Sequence, residues 1–394
     1  PTSKAHIPRG VTSMNGFSRP VNDSLKRAGL FAAALLIASA TNALDYRLDT
    51  VAEGLNYPWG LTELPDGTLL ITERPGNLKQ IAADGTVTRI GNVPAVFFAE
   101  NGQSGLFDVL PDTDFTNNGI VYLAYAEGNR QSNATTVARA RLNGERLEDV
   151  SVIFAAEPRK RLPQHFGGKL LFLPDGTLLL TTGDGFDYRE LAQDPNTLLG
   201  KTARFHTDGS IPEDNPFADG ALGHPAVWTY GHRNPQGLAV DSRTGTVYLH
   251  EHGPQGGDEV NVLEPGENYG WPAITYGLDY SGAYVSPFTE HPGMTQPIKY
   301  WVPSIAPSGF AVYRGGMFPE LDGDLLVGAL VDREVRRLSV AANGTLEEEA
   351  LFSEIGSRIR DVRVAADGSV YLVTDGNEGR IVRVSATGET PVAE

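Results

Sequence analysis

A short pattern of polar and apolar positions recurs along the chain. LPDGTLLIT at 64–72 returns almost unchanged as LPDGTLLLT at 173–181, and AADGSVYLVT at 365–374 is a third copy. Because polar-glycine pairs such as Asp-Gly allow positive φ at a tight turn, each copy predicts a hairpin turn that leads into a strand. Looser copies of the same pattern are TNNGIVYLAY (116–125), SRTGTVYLH (242–250) and ELDGDLLVGA (320–329).

The spacing of the six turn glycines indicates the architecture. Successive glycines are 52, 57, 69, 78 and 45 residues apart, which leaves room for four strands and a loop each. Repeated four-stranded units of this length are typical of β-propellers, whose units pack face to face around an axis. The sequence therefore predicts an all-β fold, a six-bladed β-propeller of four-stranded antiparallel blades, whereas a β-sandwich does not explain the repeated pattern. The turn glycines are Gly67, Gly119, Gly176, Gly245, Gly323 and Gly368.

Composition and charge narrow the class of protein. A hydrophobic share of 40% in 394 residues is typical of a globular chain with a sizeable core. The net charge of −17, without a basic patch, argues against a nucleic-acid partner. The chain has no cysteine, so no disulfide framework holds it together.

The first 43 residues have the pattern of a signal peptide. Lys26 and Arg27 precede an apolar run over 30–38, and small residues follow up to Ala43. The apolar run is too short to span a bilayer, which needs roughly 20 residues, although a buried helix is an alternative. We therefore expect an N-terminal extension over 1–43, a propeller over 44–394, a periplasmic or secreted location and no membrane span.

The long gaps between repeats predict insertions in the middle blades, where loops at one end of a propeller would build a site. His165, in LPQHFGG ahead of a strand, is a candidate general base because imidazole titrates near neutral pH. Asp258 could orient it if the loops meet. A satisfied surface or core histidine is the alternative.

A second polar group lies in TYGHRNPQGLAVD at 229–241. His232, Arg233 and Asn234 could form a hydrogen-bonded structural corner, or present a cation and an amide to an anionic or quinoid ligand. Downstream, Gly253 and Pro254 form either a simple turn or a pair of carbonyls directed at a hard cation such as calcium.

Three arginines form the last candidate cluster. Arg358 and Arg360 stand two residues apart in a probable strand, so both point to one face and need an anion between them. Arg314, at what the repeat suggests is the matching place in the preceding blade, could join them on a multiply anionic ligand, whereas a solvated edge is the alternative. Nicotinamide-binding, P-loop and Gly-x-Ser-x-Gly hydrolase motifs are absent from the sequence.

Together these segments resemble the soluble quinoprotein sugar dehydrogenases, and more closely their aldose sugar dehydrogenase branch. The family consists of six-bladed propellers that bind pyrroloquinoline quinone (PQQ) and calcium, and the resemblance spans about 50–385. The motifs that carry it are NGQSGL, QHFGGKL, YGHRNPQGLA, HGPQGGDEVN, ENYGWP, IAPSGFAVYRG and RIRDV.

The resemblance implies oxidation of an aldose at C1 to the lactone, with hydride passing to PQQ. His165 would be the general base and a cofactor contact, Asp258 would steady the imidazolium, and Arg233 would assist catalysis. The carbonyls of Gly253 and Pro254 would hold the calcium. Glu259 and the backbone of Tyr269 would serve a second calcium. Cofactor contacts would come from Gln103, Arg233, Asn234, Arg314, Arg358 and Arg360.

Two departures from the glucose dehydrogenases of this group bear on substrate range. They have lysine where this chain has Arg314, and aspartate where it has Gln164. The first keeps the charge, and the second removes a carboxylate beside the base. A calcium-dependent propeller lactonase or other hydrolase is the rival hypothesis, and it has no use for three converging arginines. A non-catalytic binding propeller needs none of these clusters.

Overall fold

A computed structural model describes residues 44–341 and 345–388 of the protein. Within these ranges, 24 strands form six four-stranded antiparallel sheets. The prediction of a six-bladed β-propeller is therefore confirmed. The proposed signal peptide over 1–43 lies outside the described residues.

The strands follow one another in blade order. The chain starts with β1 (Tyr46–Leu55), which belongs to the last blade. Blade 1 contains β2 (Pro58–Glu63), β3 (Leu69–Glu73), β4 (Asn77–Ile81) and β5 (Val87–Ile90). Blade 2 contains β6 (Leu106–Pro111), β7 (Ile120–Asn129), β8 (Ser132–Asn143) and β9 (Arg146–Ala155). Blade 3 contains β10 (Leu170–Phe172), β11 (Leu178–Thr182), β12 (Lys201–Phe205) and β13 (Val227–Tyr230).

The remaining blades continue this order. Blade 4 contains β14 (Pro235–Val240), β15 (Val247–Glu251), β16 (Asp258–Leu263) and β17 (Lys299–Trp301). Blade 5 contains β18 (Pro307–Val312), β19 (Leu325–Ala329), β20 (Val335–Val340) and β21 (Leu346–Leu351). Blade 6 contains β22 (Ile359–Val364), β23 (Val370–Thr374) and β24 (Gly379–Ala386), to which β1 adds the fourth strand. Helical turns in the described ranges are short: α1 (Phe115–Asn118) and 3-10 turns at Arg189–Gln193, Pro319–Leu321 and Ser353–Ile355.

The repeated sequence pattern has one structural meaning. Each of the six turn glycines lies in the hairpin between the first and second strands of a blade, with φ between 64° and 95°. The apolar run after the glycine is the second strand of the blade. In β3, β11, β19 and β23 every residue of this strand is buried. The repeat can therefore be recognised in the sequence because a neighbouring blade covers the second strand on each of its faces.

The core lies between the blades. Six clusters of buried apolar side chains in the described ranges each join two neighbouring blades, and the cluster between blades 6 and 1 includes Ala52 and Leu55 from β1. Hydrogen bonds between β1 and β24, from Tyr46–Ala386 to Leu55–Gly379, close the ring. No helix in 44–341 or 345–388 is long and apolar enough to cross a membrane.

The first strands of the blades line the axis and begin at the same end. Neighbouring first strands contact each other, and the early residues Ser308 of β18 and Gln236 of β14 both accept hydrogen bonds from Arg360 of β22. We call this end the loop face, and the end that carries the six glycine hairpins the turn face. The segments that precede each first strand lie at the loop face, and so do the segments that follow each second strand.

A buried ion cluster crosses the axis. The Lys169 ammonium, just before β10, lies 3.3 Å from Asp108 of β6 and 3.2 Å from Asp361 of β22. Arg363 also contacts both carboxylates, at 3.4 Å and 3.2 Å. Two cations thus balance two anions, and the cluster joins blades 2, 3 and 6.

We predict that Lys169→Met strongly destabilises the protein. Removal of one partner from a buried ion pair leaves uncompensated charge, so we expect the free energy of unfolding to fall by about 3–5 kcal/mol in urea titrations. The control is Arg141→Met, which breaks an exposed pair with Asp149 and should cost at most about 1 kcal/mol. Equal losses in the two variants would contradict a stabilising role for the axial cluster.

Candidate active site

His165 lies on the loop face, in the segment that leads into β10. Its side chain is only 3% exposed, and its backbone is left-handed, with φ of 48°. Non-glycine residues rarely adopt this conformation, and where they do a functional constraint is a common cause. The imidazole nonetheless lines a cavity of about 320 Å³.

The carboxylate that orients His165 is Asp184, which follows β11 in the same blade. Its Oδ1 lies 2.6 Å from Nδ1 of the imidazole and also accepts the N–H of Phe186 at 2.8 Å. Its Oδ2 accepts the indole N–H of Trp271 at 2.7 Å. Since both carboxylate oxygens act as acceptors, Nδ1 is the donor in this pair, and Nε2 is the nitrogen available to the cavity.

The prediction that Asp258 orients His165 is wrong. Asp258 accepts hydrogen bonds from the backbone N–H groups of Gly253, Ile305 and Ala306 and from the hydroxyl of Ser304. It therefore ties the 253–258 turn to the segment before β18. The position of Asp184 could have been predicted, because it follows β11 and the β10–β11 hairpin returns the chain to the end of the blade at which His165 lies.

Burial lowers the pKa of His165 below its ordinary value, because the charged imidazolium is poorly solvated there. The Asp184 carboxylate opposes this shift, whereas the positive charges of Arg233 and Lys160 add to it. The net shift favours the neutral imidazole, the form that can accept a proton at Nε2.

Both aromatic and charged side chains line the cavity. Beyond His165, Asp184 and Arg233, its lining consists of Phe186, Asp187, Arg189, Pro254, Trp271, Asp279, Tyr280 and Val285. The guanidinium of Arg233 lies 5.2 Å from the centre of the Trp271 ring and 5.8 Å from that of Tyr280. The lining thus offers flat apolar surfaces beside polar groups, a combination that suits a small polar ligand.

Arg233 lines the cavity with His165, and Asn234 contacts the segment that follows His165. Nη1 of Arg233 donates to the carbonyl of Gly253 at 2.7 Å. Oδ1 of Asn234 accepts the N–H of Gly167 at 3.2 Å. Nδ2 of Asn234 is buried and has no hydrogen-bond partner within the described part of the chain. A buried unpaired donor is costly, so this atom points to a missing acceptor.

His232 forms a structural corner beneath Arg233. Its Nδ1 lies 2.8 Å from Glu251, its Nε2 lies 2.8 Å from the Thr229 hydroxyl, and its ring stacks on Tyr269. Glu251 also accepts the backbone N–H of Arg233. These contacts fix the backbone from which Arg233 and Asn234 project.

Gln103 reaches the same site from the loop before β6. Its side-chain oxygen accepts the backbone N–H of His165 at 2.8 Å. Gln103 therefore lies beside His165 and holds its backbone, while its expected contact with the cofactor stays a prediction.

The predicted calcium ligands divide between two cavities. Pro254 lines the cavity with His165, whereas Gly253, Glu259 and Tyr269 line a smaller neighbouring cavity, to which Glu251, not among the predicted ligands, also contributes. Burial raises the pKa of Glu259 well above its ordinary value, and the Glu251 carboxylate adds to the shift. Two carboxylates facing one cavity favour a cation between them. Among the described residues there is no group of three or more His, Cys, Asp or Glu side chains arranged for a metal.

Arg358 and Arg360 share one anion, Asp375, which follows β23. The Asp375 carboxylate lies 3.0 Å from Arg358 and 3.3 Å from Arg360. Arg360 is 9% exposed, whereas the side chain of Arg358 is 45% exposed. The two arginines do point to one face, and the anion between them belongs to the chain itself.

Arg74 is a cation that the sequence reading missed. It follows β3 on the loop face and donates to the carbonyls of Gly102 and Ser104. Burial and the nearby charge of Arg360 lower its pKa to about 10. Its position directly after a repeat strand, equivalent to that of Asp375, was a signal for placing it here.

The prediction that Arg314 joins Arg358 and Arg360 is wrong. Arg314 follows the end of β18, whereas Arg358 precedes the start of β22, so the two lie on opposite faces. A six-residue strand spans about 20 Å. On the turn face Arg314 pairs with Asp241, at 2.6 Å, and with Asp322.

The comparisons with known proteins decide the family. The family described as "Glucose / Sorbosone dehydrogenase" matches residues 55–383. The chain belongs to this family. The family resemblance inferred from the motifs is thereby confirmed, and the protein is an enzyme of the oxidoreductase class.

Two relatives and one solved structure illustrate the similarity. Aldose sugar dehydrogenase YliI of Escherichia coli (strain K12) is 37% identical, over 89% of this chain and 95% of its own length. Quinoprotein glucose dehydrogenase B of Acinetobacter calcoaceticus is 29% identical, over 82% and 84%. The PQQ-bound form of aldose sugar dehydrogenase from Streptomyces coelicolor superposes with a TM-score of 0.70 at 28% identity, covering 87% of this chain and 99% of that one.

We predict that Asp375→Asn destabilises this dehydrogenase in a pH-dependent way. Burial alone would raise the pKa of Asp375, but Arg360 and Arg358 lower it to about 2. Because the folded-state value lies below the unfolded one, the stabilisation is present above about pH 4 and is lost as pH falls towards 2. Unfolding by urea should show a deficit of about 2 kcal/mol at pH 7 that disappears near pH 2. A deficit independent of pH would contradict this account.

Proposed function

We propose that the protein oxidises aldose sugars at C1 to the lactone, with PQQ as the hydride acceptor and calcium as a Lewis acid. The observation that carries this proposal is the His165–Asp184 pair, whose Nε2 is available to a cavity that Arg233 and Pro254 also line. Membership of a sugar dehydrogenase family supports it. The relatives named as quinoprotein and PQQ-bound dehydrogenases support the choice of cofactor.

The residues around His165 fit a quinone with several carboxylates. The buried Nδ2 of Asn234 supplies an unused donor for a quinone oxygen. Arg233 supplies a guanidinium in a protein whose net charge is −17. Arg358, Arg360 and Arg74 are further loop-face cations, and their planar guanidinium groups suit carboxylates. Gln103 would contact the cofactor beside His165.

The residues also fit calcium. The Gly253 carbonyl already accepts a hydrogen bond from a cationic group, Arg233, so it is directed at positive charge. Pro254 would offer the adjoining carbonyl for the calcium beside the cofactor. Glu259, with the backbone of Tyr269, would hold a second calcium near Glu251. Oxygen ligands of this kind are those that calcium prefers.

The chain's own residues would perform the proton chemistry. Oxidation at C1 removes a hydride from carbon and a proton from the C1 hydroxyl. Nε2 of His165 accepts the proton, and the Asp184 carboxylate stabilises the resulting imidazolium through Nδ1. When bound, PQQ would supply the hydride acceptor and calcium would supply the Lewis acid that polarises it. Arg233 stabilises negative charge next to the reacting atoms, while Phe186 and Trp271 limit the access of water to the cavity.

The apolar run over 30–38 supports the further proposal that the enzyme is exported to the periplasm or secreted. The electron acceptor that reoxidises the cofactor is a separate partner. Its recognition would take place on the loop face, where the cavity opens.

We predict that His165→Ala retains quinone binding but loses about 10²–10⁴-fold in kcat, the usual contribution of a positioned base. The carboxylate and calcium contacts are unchanged, so PQQ titration curves should match those of the parent. The measurement is stopped-flow reduction of the bound quinone by an aldose. A variant that reduces its quinone within a few-fold of the parent rate would show His165 to be structural.

The pH dependence of the parent enzyme provides an independent prediction. The base must be neutral, so kcat/KM should rise with pH through the pKa of His165. Burial lowers this pKa, so the rise should be centred below the ordinary imidazole value of about 6.5 and should be absent in His165→Ala. A rise centred above that value would contradict the assignment.

We predict that Glu259→Gln weakens calcium binding. Calcium should raise the thermal unfolding midpoint of the parent, because an ion that binds only the folded state stabilises it. Calcium should raise the unfolding midpoint of the variant by less. Without calcium the variant should be at least as stable as the parent, since the carboxylates of Glu251 and Glu259 no longer repel each other. Glu264→Gln, at an exposed position nearby, is the matched control. The same calcium-dependent gain in all three proteins would argue against this site.

A further inference from the structure

Lys160 is a buried lysine at the start of the segment that carries His165. Its side chain is 2% exposed, and all three hydrogens of its ammonium have acceptors. They are Oδ1 of Asn133 at 3.0 Å, the carbonyl of Leu162 at 3.2 Å and the carbonyl of Gln164 at 2.8 Å. The ammonium also lies 3.4 Å from the centre of the Phe166 ring. One cation thus holds two carbonyls within the five residues that lead to His165.

The backbone held by Lys160 is unusual. Leu162 and His165 both have left-handed conformations, with φ of 68° and 48°. Side-chain-bearing residues persist in this conformation only when the surroundings enforce it. The two carbonyls that Lys160 binds belong to Leu162 and to Gln164, the residue before His165.

The peptide group between Gln164 and His165 is held from both sides. Its carbonyl accepts from Lys160 at 2.8 Å, and its N–H donates to the side chain of Gln103 at 2.8 Å. These two contacts fix the plane of the peptide, and the plane fixes the direction in which the His165 side chain leaves the backbone. Asp184 then fixes the rotation of the ring.

A buried ammonium is unfavourable, which argues that this contact has a purpose beyond filling space. Burial lowers the pKa of Lys160 to about 7, and only the nearby charge of Asp184 opposes the shift. An apolar side chain of similar length would avoid this cost, but it would leave the Gln164 carbonyl without its lysine donor and the Leu162 carbonyl with the Asn133 amide alone.

We propose that Lys160 is the positioning residue for His165: it locks the backbone of 162–165, with its left-handed Leu162 and His165, and so directs the imidazole into the cavity. The catalytic part of this inference rests on the proposed role of His165 as general base. The structural part concerns the backbone alone.

The chain offers a matched control in Lys201. This lysine is also buried, and its ammonium also binds three acceptors, the carbonyls of Leu191, Ala192 and Leu199. Burial lowers its pKa to about 7 as well. It holds the 3-10 turn at Arg189–Gln193 and makes no contact with the His165 backbone. Loss of either lysine removes a buried cation that interacts with the charge of Asp184, but of the two only Lys160 donates to the backbone that leads to His165.

The test compares full-length Lys160→Met, Lys160→Arg and Lys201→Met with the parent by amide hydrogen exchange and by steady-state kinetics with PQQ and calcium. In Lys160→Met, exchange at the His165 amide should accelerate at least tenfold. Its kcat should fall about 10–100-fold with little change in KM, since misplacement of a reacting group by about 1 Å costs this much. Lys160→Arg should restore part of the slow exchange at the His165 amide and part of the parent's kcat. Lys201→Met should lower the unfolding midpoint but keep the parent's exchange at His165 and its kcat.

Parent-like exchange at His165 together with a parent-like kcat in Lys160→Met would overturn the proposal. So would equal effects of Lys160→Met and Lys201→Met on these two quantities. If Lys160→Met does not fold, Asn133→Ala removes one acceptor of the ammonium and, with it, the second donor to the Leu162 carbonyl. It should show the same changes at smaller size, and their absence would overturn the proposal equally. A parent without sugar dehydrogenase activity would contradict the proposed function, whereas exchange at the His165 amide would still support or overturn the role of Lys160 in holding the backbone.

Discussion

The buried contact between the Lys169 ammonium and the carboxylates of Asp108 and Asp361 joins three first strands across the propeller axis. Strands that converge on an axis leave little room for apolar side chains there, so balanced charges fill the space. Lys169 lies only four residues after His165, and the glycines between them let the chain pack tightly against β11 and Phe107. The segment from 165 to 169 therefore carries both the candidate base and the axial cation, and the stability of the ring and the position of the base depend on the same few residues.

The fold was predictable because the second strand of every blade is covered on both faces. That burial forces an uninterrupted apolar run, and the hairpin before it requires a glycine with positive φ, as at Gly67 and Gly176. These two local constraints recur in each blade, so they are visible in one sequence. The outer strands, such as β21, in which five of six residues are exposed or partly exposed and three of these are glutamates, carry no comparable signal.

The site was predictable where its residues sit at the start of a first strand. Arg233 and Asn234 precede β14, and Arg360 is the second residue of β22, so the strand pattern alone brings them to the loop face. Residues that follow second strands reach the same face from the other direction. Asp184 and Arg74 were missed because their role depends on the return path of a hairpin. Arg314 was wrongly grouped with Arg358 and Arg360 because the prediction used its distance along the chain from a strand and ignored the direction in which that strand runs.

The pairing of β1 with β24 has a consequence for how the molecule is made. These strands join residues more than 300 positions apart, so β1 is synthesised first and finds its partner last. Until then Ala52 and Leu55 lack their apolar cover, and blades 1 and 6 present open edges, which favour association between chains. Contacts between such distant residues also form slowly. The ring, and with it the shared loop face, therefore closes only after β24 has been synthesised.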